Sequence, residues 1–299
     1  MRARWILTVS CFVLWPALSV LAADPPKRVP LEGLPIEVAP ADPAAAKVVF
    51  IAGGNVFKPG EHAYVDGCRV LMDLVAQTPG IAPVLAVDWP KKPETLRGAK
   101  AVVLFFDGAD KHAALTEEHL PEFQAAVDSG AGLVALHQGV DLPAAFHERG
   151  RDWFGGIWEK GYSQRAHWVH RYETFPEHPI TRGVTPFTID DGYLFRLRFV
   201  SGQKGVTPLL RTVSPTKPVK LDDGSEDIVG WAFERAQGGR TFAFTGGHLH
   251  RSLAEEGYRR LLTNGILWSV GKEIPAGGAP VRIEPKALEQ LSAVPSAAK

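Results

Sequence analysis

Three separated stretches of this 299-residue chain place imidazole beside acidic or polar side chains: Glu61-His62, His137-Gln138 and His248-Leu249-His250. Near neutral pH an imidazole can give or take a proton, and its neutral form can ligate a metal. A carboxylate beside it, here Glu61, can orient the ring or act as the base. His248 and His250, two residues apart, can reach one ion, but catalytic zinc usually takes three protein ligands. His137 or His62 would supply the third. Asp190-Asp191, ahead of Gly192-Tyr193, is a further acidic pair, which reads as a solvated turn unless a folded-back loop brings it in.

For these residues to meet, their elements must end at one edge of a single sheet. Ala131–Leu136 is apolar or glycine without alternation, as expected for a strand covered on both faces. Lys47–Ala52 and Thr241–Thr245 read the same way, each followed by two glycines that suit a sharp turn. Ligands of open α/β sheets bind just beyond the carboxyl ends of such strands. Further strands are expected near 82–87 and at 101–106, the latter stopping at Asp107-Gly108. Helices are expected over about 63–77, from near Thr116 to Gly130, and over about 255–270 with Gly271 as the stop. Strands at 207–213 and 228–234 join the last strand through Gln237-Gly238-Gly239-Arg240, a hairpin connection. The alternation predicts a mostly parallel sheet with helices on both sides.

Composition bounds the function. Hydrophobic content is 45%, charged content 22% and net charge zero, so no basic face for nucleic acid is expected. Arg2 and Arg4, the apolar run Trp5–Leu14 and the exit Val20-Leu21-Ala22 predict a signal peptide over 1–22. The expected location is periplasmic or secreted, with no stable membrane span after cleavage. Cleavage removes Cys11 and leaves Cys68, which falls on a helical stripe with Leu71 and Val75 and reads as a buried structural thiol. Residues 23–46 hold six prolines and read as an extended lead-in, and 272–299 as a mobile tail. Residues 142–205 are irregular and rich in aromatics, and are expected to hold extra strands or a lid over the ligand crevice, with His167 and His170 flanking Trp168 where a sugar ring could stack. His112, His119, His147 and His178 read as solvated.

No dinucleotide or phosphate-binding glycine motif, H-E-x-x-H, C-x-x-C or G-x-S-x-G is present, so no nucleotide cofactor is expected. The stretches 49–54 with Gly60-Glu61-His62, 132–137, His178–Gly183, Ile189–Tyr193 and Arg259–Trp268 together resemble the ThuA-like (trehalose utilisation) family. The resemblance covers about 47–271. It implies a flavodoxin-like three-layer sandwich with a mostly parallel central sheet, related to class I glutamine amidotransferases. In that wider group a nucleophilic cysteine stands at a strand-to-helix elbow, and a histidine follows a later strand. Here the elbow position holds His137, and His248 sits near the later histidine. An imidazole cannot form the glutamyl thioester, so glutamine amidotransferase activity is not expected. Gly53-Gly54-Asn55 departs from the serine- or threonine-histidine pair common in the family, and His248-Leu249-His250 is richer in histidine than usual.

The family is linked with sugar catabolism, including keto-disaccharides. The expectation is therefore an exported enzyme, a lyase, isomerase or hydrolase, acting on a sugar or keto-sugar by proton transfer. His137 and His248 would be the acid/base pair, with Glu61 assisting. His62, His250, Asp191, His167, Tyr193 and Gln138 would contact substrate. A divalent metal such as zinc would draw its ligands from His62, His137, His248 and His250. The rival expectation is a non-catalytic sugar-binding or scaffold protein on the same fold.

Overall fold

The apolar runs become the strands of one sheet. The structure, a computed structural model, describes residues 27–58, 60–215 and 226–284. The expected signal peptide with Cys11, and the last part of the tail, lie outside these residues. In chain order the main elements are β1 (Ala46–Ala52), α1 (Tyr64–Val75), β2 (Ile81–Val87), β3 (Ala101–Phe105), α2 (Leu120–Asp128) and β4 (Gly132–Leu136). Then come α3 (His147–Phe154), β5 (Gln164–Tyr172), β6 (Phe187–Phe195), β7 (Val206–Thr212), β8 (Asp227–Glu234), β9 (Arg240–Phe244) and α4 (Glu256–Val270).

Seven strands form the central sheet in the order β7-β8-β9-β4-β3-β1-β2. β2, β1, β3, β4 and β9 are mutually parallel, while β7 and β8 extend that edge antiparallel. The parallel part thus has the 2-1-3-4-5 order of the flavodoxin-like arrangement. Alternation along each strand sorts side chains to two faces. Val48, Phe50, Val103, Phe105 and Phe244 pack against α1 and α4, and Val49, Ile51, Val102, Leu104 and Ala135 pack against α2 and α3. Each buried valine, leucine, isoleucine or phenylalanine among them contributes about 1.5–3 kcal/mol, which makes the parallel strands a rigid support for whatever follows them.

Several expectations shift. The second helix starts at Leu120 rather than Thr116: Thr116 Oγ1 accepts the His119 amide at 3.1 Å in a preceding turn, and Pro121 occupies the first helical turn. Gly53 and Gly54 do not have positive φ. They allow close approach, since a Cβ on Gly53 would lie 2.8 Å from the Tyr64 ring. The lead-in is partly structural: Lys27–Arg28 pairs with Asn55–Val56, and Val29, Leu31, Leu34 and Ile36 pack against the core. The tail is ordered at its start, where Ala279 is buried and its amide donates to Asn264 Oδ1. Cys68 is a buried free thiol, as its stripe implies, and burial raises its pKa. Among the described residues, no helix is long and apolar enough to cross a membrane.

The four histidines expected in solvent all have structural partners. His112 is buried with Nε2 3.2 Å from the Gly139 carbonyl, and His119 and His147 approach the Ala113 and Leu142 carbonyls. The His178 ring accepts the Ile180 amide. The irregular stretch 142–205 contains α3 and an antiparallel pair, β5 with β6, whose inner face joins the α1/α4 side of the core.

Candidate functional site

β1, β4 and β9 run parallel in register, so the segments after them emerge at the same edge. β4 ends at Leu136, and the chain enters a 3-10 turn at His137 with φ 52°. His62 also has positive φ, 51°. For a residue bearing a Cβ, this left-handed conformation costs on the order of 1 kcal/mol, so two neighbouring imidazoles are held by backbone that a glycine would adopt more easily. The loop after β1 is laced to the loop after β9: the His62 amide donates to the His248 carbonyl, and the His250 amide to the Gly60 carbonyl. Glu61 forms a bridge with Leu249.

The result is a cluster of three rings. His62 Nε2 lies 3.1 Å from His137 Nε2 and 2.6 Å from His248 Nδ1. The outward nitrogen of each ring faces an oxygen. His137 Nδ1 is 3.0 Å from the Thr245 carbonyl, so that nitrogen carries the proton and Nε2 is a bare lone pair. His62 Nδ1 is 3.9 Å from Asp107 Oδ1, and His248 Nε2 is 3.9 Å from Glu61 Oε2. Asp107 in turn accepts the Tyr64 hydroxyl at 2.9 Å, and the Tyr64 ring stacks on His62.

Burial keeps these imidazoles neutral. It lowers His62, against the pull of Asp107 and Glu61. His137 is held well below the usual imidazole range, first by burial and then by the neighbouring His62 ring. His248 is pushed down to about 3, again by burial first, with His62 and His167 adding to it. At neutral pH the cluster offers lone pairs, able to take a proton or a cation. His62, His137 and His248 present ligand nitrogens that all lie within 4.8 Å of one another, so these three could hold a metal ion.

Asp191 is not in a solvated turn. It lies in β6, fully buried, and its carboxylate accepts four backbone amides: Gly192 at 2.8 Å and His248 at 2.9 Å, with Leu249 at 3.1 Å and Gly247 at 2.8 Å. Burial pushes its pKa up to about 7, while the four donors pull it down. Its place is behind His248, fixing the loop, and not against a ligand. Gly192 allows the approach of His167, whose ring meets His248 edge-on at 4.4 Å between centroids.

Of the residues expected to contact substrate, three are not brought to the cluster. Tyr193 is in the core, its ring 4.4 Å from Trp168, because it shares the inward register of β6. Gln138 spends its carbonyl on the Gly108 amide at 3.2 Å. His250 turns the other way, stacked on Phe105 and close to Gly67, where burial lowers its pKa to about 4. Other residues at the site were not singled out from sequence. Asp107 stands at the end of β3, by the same strand-end logic that singles out His137. Phe57, 41% exposed, meets His62 edge-on, and Arg165 pairs with Asp141 while its guanidinium lies 4.3 Å over Trp158.

Comparison with known proteins adds a family. The ThuA family model, described as trehalose utilisation, matches residues 58–269. No curated protein matches the chain. Among solved structures, a ThuA-like protein from Parabacteroides merdae superposes with a TM-score of 0.56 at 15% identity, covering 79% of this chain and 95% of that one. One from Bacteroides uniformis gives 0.52 at 17% identity, covering 83% and 99%. At these identities the two structures speak for the fold.

Proposed function

This chain belongs to the ThuA family, and from that premise we propose that it is an exported protein acting on a sugar or keto-sugar by proton transfer at the three-histidine crevice. A carbonyl acidifies the neighbouring C–H. The base, with Glu61 at the rim the most accessible candidate, takes that proton, and the C–H electron pair becomes an enediolate. In an isomerisation the hydroxyl proton passes to the former carbonyl oxygen and the abstracted proton returns to the other carbon. In an elimination the enediolate electron pair forms the C=C bond as the glycosidic C–O bond breaks, and the departing glycosyl oxygen takes the proton. The developing oxyanion needs positive charge nearby, and Arg165 of β5, whose charge reaches His62 while its guanidinium is paired with Asp141, is the candidate for it. The observation carrying the reading is the convergence of three neutral imidazole nitrogens, at 2.6 and 3.1 Å, next to a partly exposed carboxylate. Export rests on the basic, apolar and small-residue pattern of the first 22 residues, and an intact Met1 on exported protein would count against it.

The test is product analysis after incubation with a panel of disaccharides and their keto forms. Turnover of a keto form is expected, with Glu61→Gln lowering it about 10²–10⁴-fold while sugar binding persists. Binding without turnover in the unmodified protein would leave a sugar-binding module. Neither binding nor turnover would remove the sugar reading.

A further inference from the structure

The three rings face one another in a way that neutral imidazoles alone do not satisfy. The Thr245 carbonyl holds the His137 proton on Nδ1, so His137 can offer only a lone pair to His62. His62 Nε2 lies between that lone pair and His248 Nδ1, at 3.1 and 2.6 Å. One proton on His62 Nε2 cannot serve both contacts, and placing it there would turn a bare Nδ1 toward Asp107. With the His62 proton on the Asp107 side and the His248 proton on the Glu61 side, three lone pairs point inward. A cation at their centre satisfies all of them.

We infer that His62, His137 and His248 form a divalent-cation site, filled by zinc on the basis of its all-imidazole ligand set, with a fourth position left for a ligand from the crevice. The inference rests on the reading of this crevice as the working site and names the cofactor it would use. Zinc binds imidazole nitrogen at about 2.0–2.1 Å, which in a tetrahedron separates ligand nitrogens by about 3.4 Å. The His62–His137 separation is already close to this, and the His62–His248 pair needs to open by less than about 1 Å. Metal-bound histidines characteristically direct the other ring nitrogen at a carboxylate or backbone carbonyl. All three rings have such an oxygen behind them: Asp107, the Thr245 carbonyl and Glu61. Asp107 Oδ2 is buried with no hydrogen-bond partner among the described residues, consistent with a carboxylate whose work is electrostatic. Three protein ligands and an open position are the pattern of catalytic rather than structural zinc. Such an ion polarises a carbonyl oxygen, leaving Glu61 to carry the proton.

The test uses the purified full chain, stripped with a chelator, dialysed, and titrated with Zn²⁺ alone and with Co²⁺ alone. One equivalent of Zn²⁺ is expected, together with the intense visible absorption of tetrahedral Co²⁺. His137→Ala should weaken Zn²⁺ binding by at least about 100-fold, and Asp107→Asn by about 10–100-fold through the ring it orients. His250→Ala should leave binding unchanged. Should His137→Ala fail to fold, the Co²⁺ spectrum of the unmodified chain and the Asp107→Asn titration still decide. Absence of stoichiometric binding, or binding undiminished in folded His62→Ala and His137→Ala proteins, overturns the site. Sugar turnover on the same preparation separates the two ideas. Turnover that needs Glu61 but proceeds at full rate in the stripped protein overturns the cation and spares the sugar reading. Zinc bound at the three rings without turnover or sugar binding upholds the cation and removes the sugar reading.

Discussion

His248 and His250 leave one short loop in opposite directions and arrive in opposite surroundings. His248 meets three other rings, those of His62, His137 and His167, with Glu61 behind it and four amides of its neighbourhood pinned by Asp191. His250, two residues later, lies among Leu71, Phe105, Leu253 and Tyr258, and neither of its ring nitrogens has a hydrogen-bond partner among the described residues. Both are mostly buried, and burial lowers the pKa of both. Burial and a low pKa therefore do not separate the clustered histidine from the one in the core. The distinction lies in what the ring nitrogens face.

The largest expected effect attacks the support on the His248 side. Asp191→Ala would leave four inward-facing amides without their acceptor. It should cost about 3–5 kcal/mol in denaturant unfolding, as removing one partner of a buried charged network does. Zn²⁺ affinity should fall with it. A loss below about 1 kcal/mol would mean that the His248 loop holds itself, and the contrast with His250 would then need another cause.

An imidazole away from both sides sharpens the contrast. His112 is buried and its pKa is lowered to about 4, chiefly by burial. Its neutral form is the one the fold accepts, so its contribution to stability is fully present above the unfolded value near 6.5. That contribution is lost as pH falls from there toward about 4, and amounts to roughly 3 kcal/mol. Stability measured against pH should fall over this window, and His112→Gln should flatten part of the fall. An unchanged slope in that variant would show that His112 is not among the groups responsible.

The smallest effect is expected at His250. Replacing an unpartnered buried polar group by an apolar one of similar size is near neutral or stabilising. His250→Leu should shift stability by no more than about 1 kcal/mol, on the stabilising side, and leave Zn²⁺ binding intact. A marked loss of either would return His250 to the site.

The sequence was most legible where periodicity was unbroken. The parallel strands showed as apolar runs, and the histidines after β1, β4 and β9 were placed by the rule that such strand ends share an edge. β5 and β6 are foreseen only as extra strands or a lid somewhere within 142–205, although they carry a signal of a different period that would place them. Ala166, Trp168 and Tyr172 alternate with Arg165, His167, Val169 and Arg171, and Phe187, Ile189, Asp191, Tyr193 and Phe195 occupy every second position. That alternation puts Asp191 on an apolar inner face, where a carboxylate must find donors. What no pattern in the chain could supply was the direction of each ring. Glu61-His62 and His248-Leu249-His250 both read as polar clusters, but the left-handed turn at His62 and the turn of His250 into the core follow from how the two loops lace together.

Asp191 belongs to the β5–β6 hairpin, while the amides of Gly247, His248 and Leu249 belong to the end of the central sheet. The two therefore form one cooperative unit. A surface loop can open by local fluctuation at little free-energy cost, whereas this one can release His248 only by giving up the docking of a hairpin with Trp168, Phe187 and Phe195 in the core. The histidine cluster thus has the opening free energy of a subdomain rather than of a loop, and its geometry persists for as long as the hairpin stays docked.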